Sequence, residues 1–192
     1  MKESLVVIIF SGVVLLSVSC IAAGRTTDGS SSENRVNAPA MLAAHNLWRT
    51  EVEVAKLSWS DELEQQAIRW ASELEKNGCF MEHSGPGENL FWASPLKTAT
   101  SKEGNNDWLW ENSLQQVTEQ QVVDSWASEK EWFNPDTNNC NAPENETCSH
   151  YTQLVWRSTT EVGCGKAICA DLSQVWVCSY NPPGNMIGRK PY

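Results

Sequence analysis

The chain holds three histidines, and two of them can be paired with carboxylates in ways that suggest a polar site. Residues 82–89 read Glu-His-Ser-Gly-Pro-Gly-Glu-Asn, so His83 and Glu88 flank a Gly-Pro-Gly turn. Such a turn can fold both side chains back toward one point. Glu129 and His150 form a second pair further along. Val122, Trp126, Glu129 and Phe133 recur at helical spacing and share one face. A carboxylate on that apolar stripe needs partners, because burying it alone is costly. Glu131 points elsewhere and reads as solvated.

Four such groups suit three kinds of chemistry. Two neutral imidazoles, His83 and His150, can hold Zn²⁺ or another divalent cation. Glu88 and Glu129 can ligate as well, or accept the second ring N–H of each histidine. Metal-activated water with a glutamate base would make a hydrolase. A hydrogen-bonded cluster would simply hold the fold together. The chain has no His-Glu-x-x-His helix, no dedicated third soft ligand and no Gly-x-Ser-x-Gly elbow, so the expectation is a binding site rather than an enzyme.

Residues 1–23 read as a signal peptide: Lys2, an apolar run from Leu5 to Val18, then Cys-Ile-Ala-Ala. A lipoprotein signal with Cys20 lipidated is the rival reading. Removing this segment takes away one Lys and one Glu, so the net charge of −10 is unchanged. So acidic a chain suits neither nucleic acid nor anionic lipid headgroups, though uncharged sterols or other lipids remain candidate partners. No second apolar stretch could span a membrane. Six cysteines remain (Cys79, Cys140, Cys148, Cys164, Cys169 and Cys178), and an even count behind a signal peptide implies three disulfides. Their connectivity is open on spacing alone. Asn145-Glu-Thr is a glycosylation sequon. The expectation is a secreted, extracellular monomer.

The site needs elements to position it. Residues 24–37 read as a disordered polar arm. Asn37 caps a first helix with Pro39 in its first turn, and Met41, Ala44, His45, Trp48 and Val52 form its apolar stripe. His45 therefore reads as a core residue with a hydrogen-bonding role. Ser60 caps a second helix whose face is Leu63, Ala67, Trp70, Ala71 and Leu74, ending at Lys76-Asn-Gly. Glu88–Ala93 is short and either extended or helical. Residues 94–112 read as an irregular inserted loop, the insertion as a whole spanning 94–117. Its Trp108 and Trp110 are expected to fold down over the core. A third helix runs from Thr118 to Phe133. After a loop pinned by Cys140 and Cys148, residues 150–156 alternate as a strand. Residues 163–170 and 174–180 make a hairpin, and the tail 182–192 lacks regular structure. Helices first and strands after suggest an α+β domain.

Four separated motifs then resemble one family. They are His45-Asn-Leu-Trp-Arg49, Gly87-Glu-Asn-Leu90, His150-Tyr-Thr-Gln-Leu-Val-Trp156 and Cys178-Ser-Tyr-Asn-Pro-Pro-Gly-Asn185. Together they are similar to the CAP (or SCP) superfamily of cysteine-rich secretory, antigen 5 and class 1 pathogenesis-related proteins, over residues 38–192. The ending Pro182-Pro-Gly-Asn … Pro191-Tyr192 resembles the plant class 1 pathogenesis-related group. The resemblance implies a three-layer α-β-α sandwich with a central antiparallel sheet. It implies a cleft tetrad of His83, Glu88, Glu129 and His150, and disulfides Cys79–Cys169, Cys140–Cys148 and Cys164–Cys178. It further implies a defence role and sterol binding at the loop Phe133 to Cys148, with Pro182 to Tyr192 as a releasable signalling peptide. Ser149 and Ser179 depart from the family's usual Gly and Asn.

Overall fold

In the computed structural model, Asn37 accepts the Ala40 N–H on its side chain and opens α1, Ala38–Glu51. The structure describes residues 34–101 and 108–192, so the expected signal peptide and most of the polar arm lie outside the described residues. The end of that arm is attached. Arg35 bridges Gly165, and Val36 is buried against the core.

A two-residue strand β1, Ser58–Trp59, precedes α2, Asp61–Lys76, which Ser60 caps through the Leu63 N–H. The buried face of α2 is Glu64, Ala67, Ile68, Ala71 and Leu74. Leu63 and Trp70, expected on that face, lie at its margin. Then come β2 (Glu88–Ala93), β3 (Leu96–Ser101), β4 (Trp108–Ser113) and α3 (Glu119–Ala127). A 3-10 turn at Ser128–Trp132 leads into the short ribbon of β5 (Phe133–Asn134) and β6 (Asn139–Cys140). The chain ends with α4 (Ser149–Leu154), β7 (Glu161–Ile168), β8 (Gln174–Asn181) and an irregular tail.

The main sheet has the order β1-β7-β8-β2. It is antiparallel apart from the short β1, which runs parallel to β7. Alternation sorts its side chains between two helical layers. Val162, Cys164, Trp176, Cys178 and Tyr180 face α1, α3 and α4. Ala167, Val175 and Val177 face α2. Gly165 lets α2 lie directly on β7, since a Cβ there would come within 2.7 Å of Ile68 backbone atoms. The architecture is a three-layer α-β-α sandwich stapled by Cys79–Cys169, Cys140–Cys148 and Cys164–Cys178.

Four expectations are corrected. Residues 150–156 were expected as a strand, but 149–154 form the helix α4, with Tyr151, Leu154 and Val155 buried at helical spacing. The 94–112 stretch is not irregular: β3 and β4 pair residue for residue from Leu96↔Ser113 to Ser101↔Trp108. Trp108 and Trp110 do not cover the core but stand 66% and 64% exposed, because this hairpin extends away from it. Its base is tied to the β7–β8 turn by Asn112, which donates to the Asp171 carbonyl. The third helix also ends six residues early, at Ala127, and Phe133 belongs to β5.

Candidate functional site: a paired histidine–glutamate cleft

Gly87, at φ 77°, turns the chain between His83 and the start of β2. This is a conformation that suits glycine. The turn brings His83 Nδ1 to 3.6 Å from Glu88 Oε2. Ser84 adds a main-chain N–H to the same oxygen at 2.8 Å and its hydroxyl to Oε1. The Glu88 side chain is 1% exposed and that of His83 51%. Burial alone would push the Glu88 carboxyl up, but the hydrogen bonds from His83 and Ser84 outweigh it and hold the group below its ordinary range.

The second pair is tighter. Glu129 lies in the 3-10 turn after α3, where it remains on the buried side of the chain. Its Oε2 accepts the main-chain N–H of His150 at 2.9 Å and of Tyr151 at 3.1 Å. Its Oε1 faces His150 Nδ1 at 2.5 Å. One carboxylate therefore satisfies orphan amides at the start of α4 and fixes the ring of His150. Ser149, where glycine is usual in the resembled family, has no positive φ and simply begins this helix.

His83, Glu88 and His150 border one cleft of about 250 Å³, together with Gln153, Gly184 and Asn185. Glu129 supports His150 and opens instead onto a neighbouring pocket of about 290 Å³, which His150 also borders. A third cavity, about 310 Å³, lies between the Phe133–Cys148 loop and the tail. Phe133, Trp156, Met186 and Pro191 are among its walls.

His45 is placed outside the cleft. It is fully buried, with Nδ1 donating to the Met41 carbonyl at 2.8 Å and Nε2 accepting from the Tyr180 hydroxyl at 2.9 Å. Burial lowers its pKa to about 4. Asn89 Nδ2 reaches both the Tyr180 hydroxyl (3.3 Å) and the His150 carbonyl (3.0 Å), so His45 supports α4 from behind. His45 also lies near Cys164 and Cys178, but those two sulfurs are bonded to each other, so neither is a thiolate that could ligate a metal.

Sequence reasoning missed several partners. Ser84, Asn89 and Tyr180 carry no distinguishing spacing. Arg49 sat in a quoted motif without a role, yet its guanidinium donates to the carbonyls of Ala55, Leu154, Trp156 and Thr159 at 2.7–3.0 Å. A cation following an apolar helical stripe was the available signal.

Fold and site together define a disulfide-bonded α-β-α sandwich in which His83, Glu88 and His150 border one cleft and Glu129 holds His150 from the neighbouring pocket. The family model of the cysteine-rich secretory protein family, CAP, matches residues 42–180, and the chain belongs to that family. It is 36% identical over 153 residues to pathogenesis-related protein 1C of Nicotiana tabacum, covering 79% of this chain and 78% of that one. It is 39% identical over 117 residues to pathogenesis-related protein PRMS of Zea mays, covering 59% of this chain. The chain spans about three fifths of the length of the maize, Medicago truncatula and Hordeum vulgare relatives it matches, at 58%, 57% and 60%. Among solved structures, Na-ASP-1 matches with a TM-score of 0.62 at 25% identity, over 81% of this chain and 41% of that chain. NaASP2 with Zn²⁺ matches with a TM-score of 0.55 at 22% identity, over 86% and 88%. No helix among the described residues is long and apolar enough to cross a membrane.

Proposed function

We propose that this chain is a secreted, non-enzymatic defence and binding protein whose His83/His150 cleft takes up a divalent cation such as Zn²⁺. The observation carrying this reading is the shared cleft, in which each imidazole turns Nδ1 toward its own glutamate. That leaves Nε2 of each ring for a metal, in the carboxylate–histidine arrangement that orients metal-binding imidazoles. Bound there, a divalent cation would supply charge and further coordination positions for water or a ligand. Both glutamates are already engaged, Glu88 by Ser84 and His83 and Glu129 by α4, which favours binding over catalysis by a free general base. The alternative, a metal-dependent hydrolase, would have to break one of these engagements. Three disulfides fit an oxidising, extracellular setting. The names of the tobacco and maize relatives support the defence role.

Calorimetry with Zn²⁺ on the wild type and on His83→Ala/His150→Ala tests the reading. Saturable heat that disappears in the folded double variant is expected. An absence of heat in the wild type refutes metal binding here.

Sterol binding is a second reading. The 310 Å³ cavity supports it, because the Phe133–Cys148 loop and the tail together offer Phe133, Trp156 and Met186 as apolar walls. Saturable uptake of labelled sterol, reduced by Met186→Glu, is the expected result. A lack of saturable uptake counts against it.

A further inference from the structure

We infer that the β3–β4 hairpin binds an unsubstituted β-1,4-linked glucan chain, whose sugar rings stack on Trp108 and Trp110. Side chains of a strand alternate between its two faces, so these two residues, two apart on β4, stand on the same face. They follow one another along the strand at an interval of about 7 Å, two residues of rise. The pairing is regular, with Ala99 opposite Trp110 and Lys97 opposite Asn112, so those residues share the face. Leu96, Thr98, Leu109 and Glu111 stand on the other one. Ala99 is too small to cover an indole, and both indoles remain open to solvent. The platform is also held in place. Thr98 and Thr100 donate to the Glu111 and Leu109 carbonyls at 3.3 and 3.4 Å, which braces the far face. At the base, Lys97 Nζ donates to Asn112 Oδ1 at 2.5 Å and Asn112 Nδ2 donates to the Asp171 carbonyl at 2.6 Å.

Area and charge decide what covers this face. The two indoles, at 66% and 64% exposure, offer roughly 300 Å² of contact between them. A stable protein interface needs roughly 800 Å² per partner, so neither a second copy nor another folded protein is held by them alone. A net charge of −10 repels anionic polymers and anionic lipid headgroups. The connection between the two strands carries Lys102, Glu103 and Asp107, charges that are costly to bring into lipid. A neutral polysaccharide meets none of these objections. In a β-1,4-linked glucan the chain is extended and every ring hydroxyl is equatorial, so successive rings present flat C–H faces. Stacking those faces on a row of indoles buries apolar area and gains dispersion contacts, while the hydroxyls at the ring edges stay in water or meet Lys97 and Asn112. An α-1,4-linked chain curves away from a straight row. An axial hydroxyl would hold the ring off the indole, and an acetamido group would need a recess that an open ribbon does not offer. None of these residues borders the histidine cleft.

The test is a titration of the whole protein with cellohexaose, read by tryptophan fluorescence and calorimetry. Maltohexaose and chitohexaose are titrated alongside. Saturable cellohexaose binding about tenfold tighter than that of either comparison sugar is expected. Trp108→Ala and Trp110→Ala should each weaken it about tenfold, and the two together should remove it. Both residues lie off the core, so these variants keep the wild-type circular dichroism and melting temperature. Trp92→Ala removes an exposed tryptophan elsewhere and should leave glucan binding unchanged. His83→Ala/His150→Ala should also bind cellohexaose like wild type while losing any Zn²⁺ heat, so the two readings fail separately. No saturable cellohexaose signal, binding of maltohexaose or chitohexaose as tight as that of cellohexaose, or wild-type binding by folded Trp108→Ala/Trp110→Ala overturns the inference. So does self-association in the ultracentrifuge, or sedimentation with phosphatidylcholine vesicles, that the double variant abolishes, because either gives this face a different occupant.

Discussion

Glu129 holds His150 at two points at once, accepting its main-chain N–H at 2.9 Å and facing its Nδ1 at 2.5 Å. The residue that orients the ring is also the residue that starts the helix beneath it. Site geometry and local fold are thus one interaction, and a change at Glu129 must disturb both.

Glu129→Gln tests that coupling. A carboxamide keeps the size but replaces one acceptor oxygen with an NH₂ group, which must face either the α4 amides or His150 Nδ1. Leaving a buried donor unsatisfied costs about 1–3 kcal/mol. Urea unfolding should show a loss of that size. Zn²⁺ affinity should fall as well, because His150 is no longer oriented. Unchanged stability with unchanged affinity would falsify the coupling.

His45 gives the fold a pH dependence. Its pKa is lowered from 6.5 to about 4 by burial, so the unfolded state takes up a proton before the folded state does. The stability this neutral ring contributes is complete above pH 6.5 and is lost as pH falls toward 4. The loss amounts to about 3 kcal/mol, at ~1.4 kcal/mol per pH unit. Glu88 acts in the same direction, because its carboxyl is held below its ordinary range. Denaturation midpoints measured from pH 7 to pH 4 should fall in the wild type. The fall should be shallower in His45→Gln, whatever that variant loses at neutral pH.

Much of this arrangement was legible because its signals are local. The caps Asn37 and Ser60 each precede a helix, Thr118 stands just before the third, and the hairpin expected at 163–170 and 174–180 falls within two residues of β7 and β8. What misled was non-local. His150–Trp156 alternates like a strand, and its helical state depends on Glu129, 21 residues earlier. The hairpin β3–β4 was hidden by its polar first strand, Leu-Lys-Thr-Ala-Thr-Ser, which has no apolar face to announce it. The pairing of His83 with Glu88 was readable from a turn. The chain from His45 through Tyr180 and Asn89 to His150 was not, because its members come from four separate elements.

Arg49 is a fold-determining cation. Burial lowers its pKa to about 10, which still leaves it charged at neutral pH. Its fork joins α1 to the end of α4 and the segment after it through the carbonyls of Leu154, Trp156 and Thr159. Lysine cannot reproduce this planar fork. Arg49→Lys should therefore cost about 2–4 kcal/mol in urea unfolding, from two or more unsatisfied buried carbonyls. A loss under 1 kcal/mol would mean that water replaces the fork.

The tryptophans separate into two groups. Trp126 is 2% exposed and bonded to Leu90, whereas Trp108 and Trp110 stand in the open on β4. Trp126→Ala should cost about 3–5 kcal/mol. Trp108→Ala/Trp110→Ala should stay within about 0.5 kcal/mol of wild type per site. Comparison of thermal midpoints checks both, and a large loss for the exposed pair would show that the hairpin contributes to the core after all.

The tail decides whether residues 182–192 can serve as a detachable peptide. Gly184 N–H donates to Gln153 Oε1 at 2.8 Å, and Asn185 binds Thr152 at 2.7 Å and the Ser149 carbonyl at 2.9 Å. Pro191 accepts the Arg157 N–H at 2.7 Å, and Tyr192 packs on Phe133 with its hydroxyl 3.2 Å from that of Tyr151. These contacts tie the tail to both ends of α4, and Gly184 and Asn185 also border the histidine cleft. A domain lacking 182–192 should therefore lose about 3 kcal/mol or more, from an aromatic contact and several hydrogen bonds removed together. Its Zn²⁺ binding should weaken too, since one wall of the cleft leaves with the peptide. If the shortened domain instead melts at the wild-type temperature, the tail is only lying on the surface, and release of Pro182–Tyr192 would cost the domain nothing. Unfolding of the two forms side by side distinguishes an integral strap from a carried peptide.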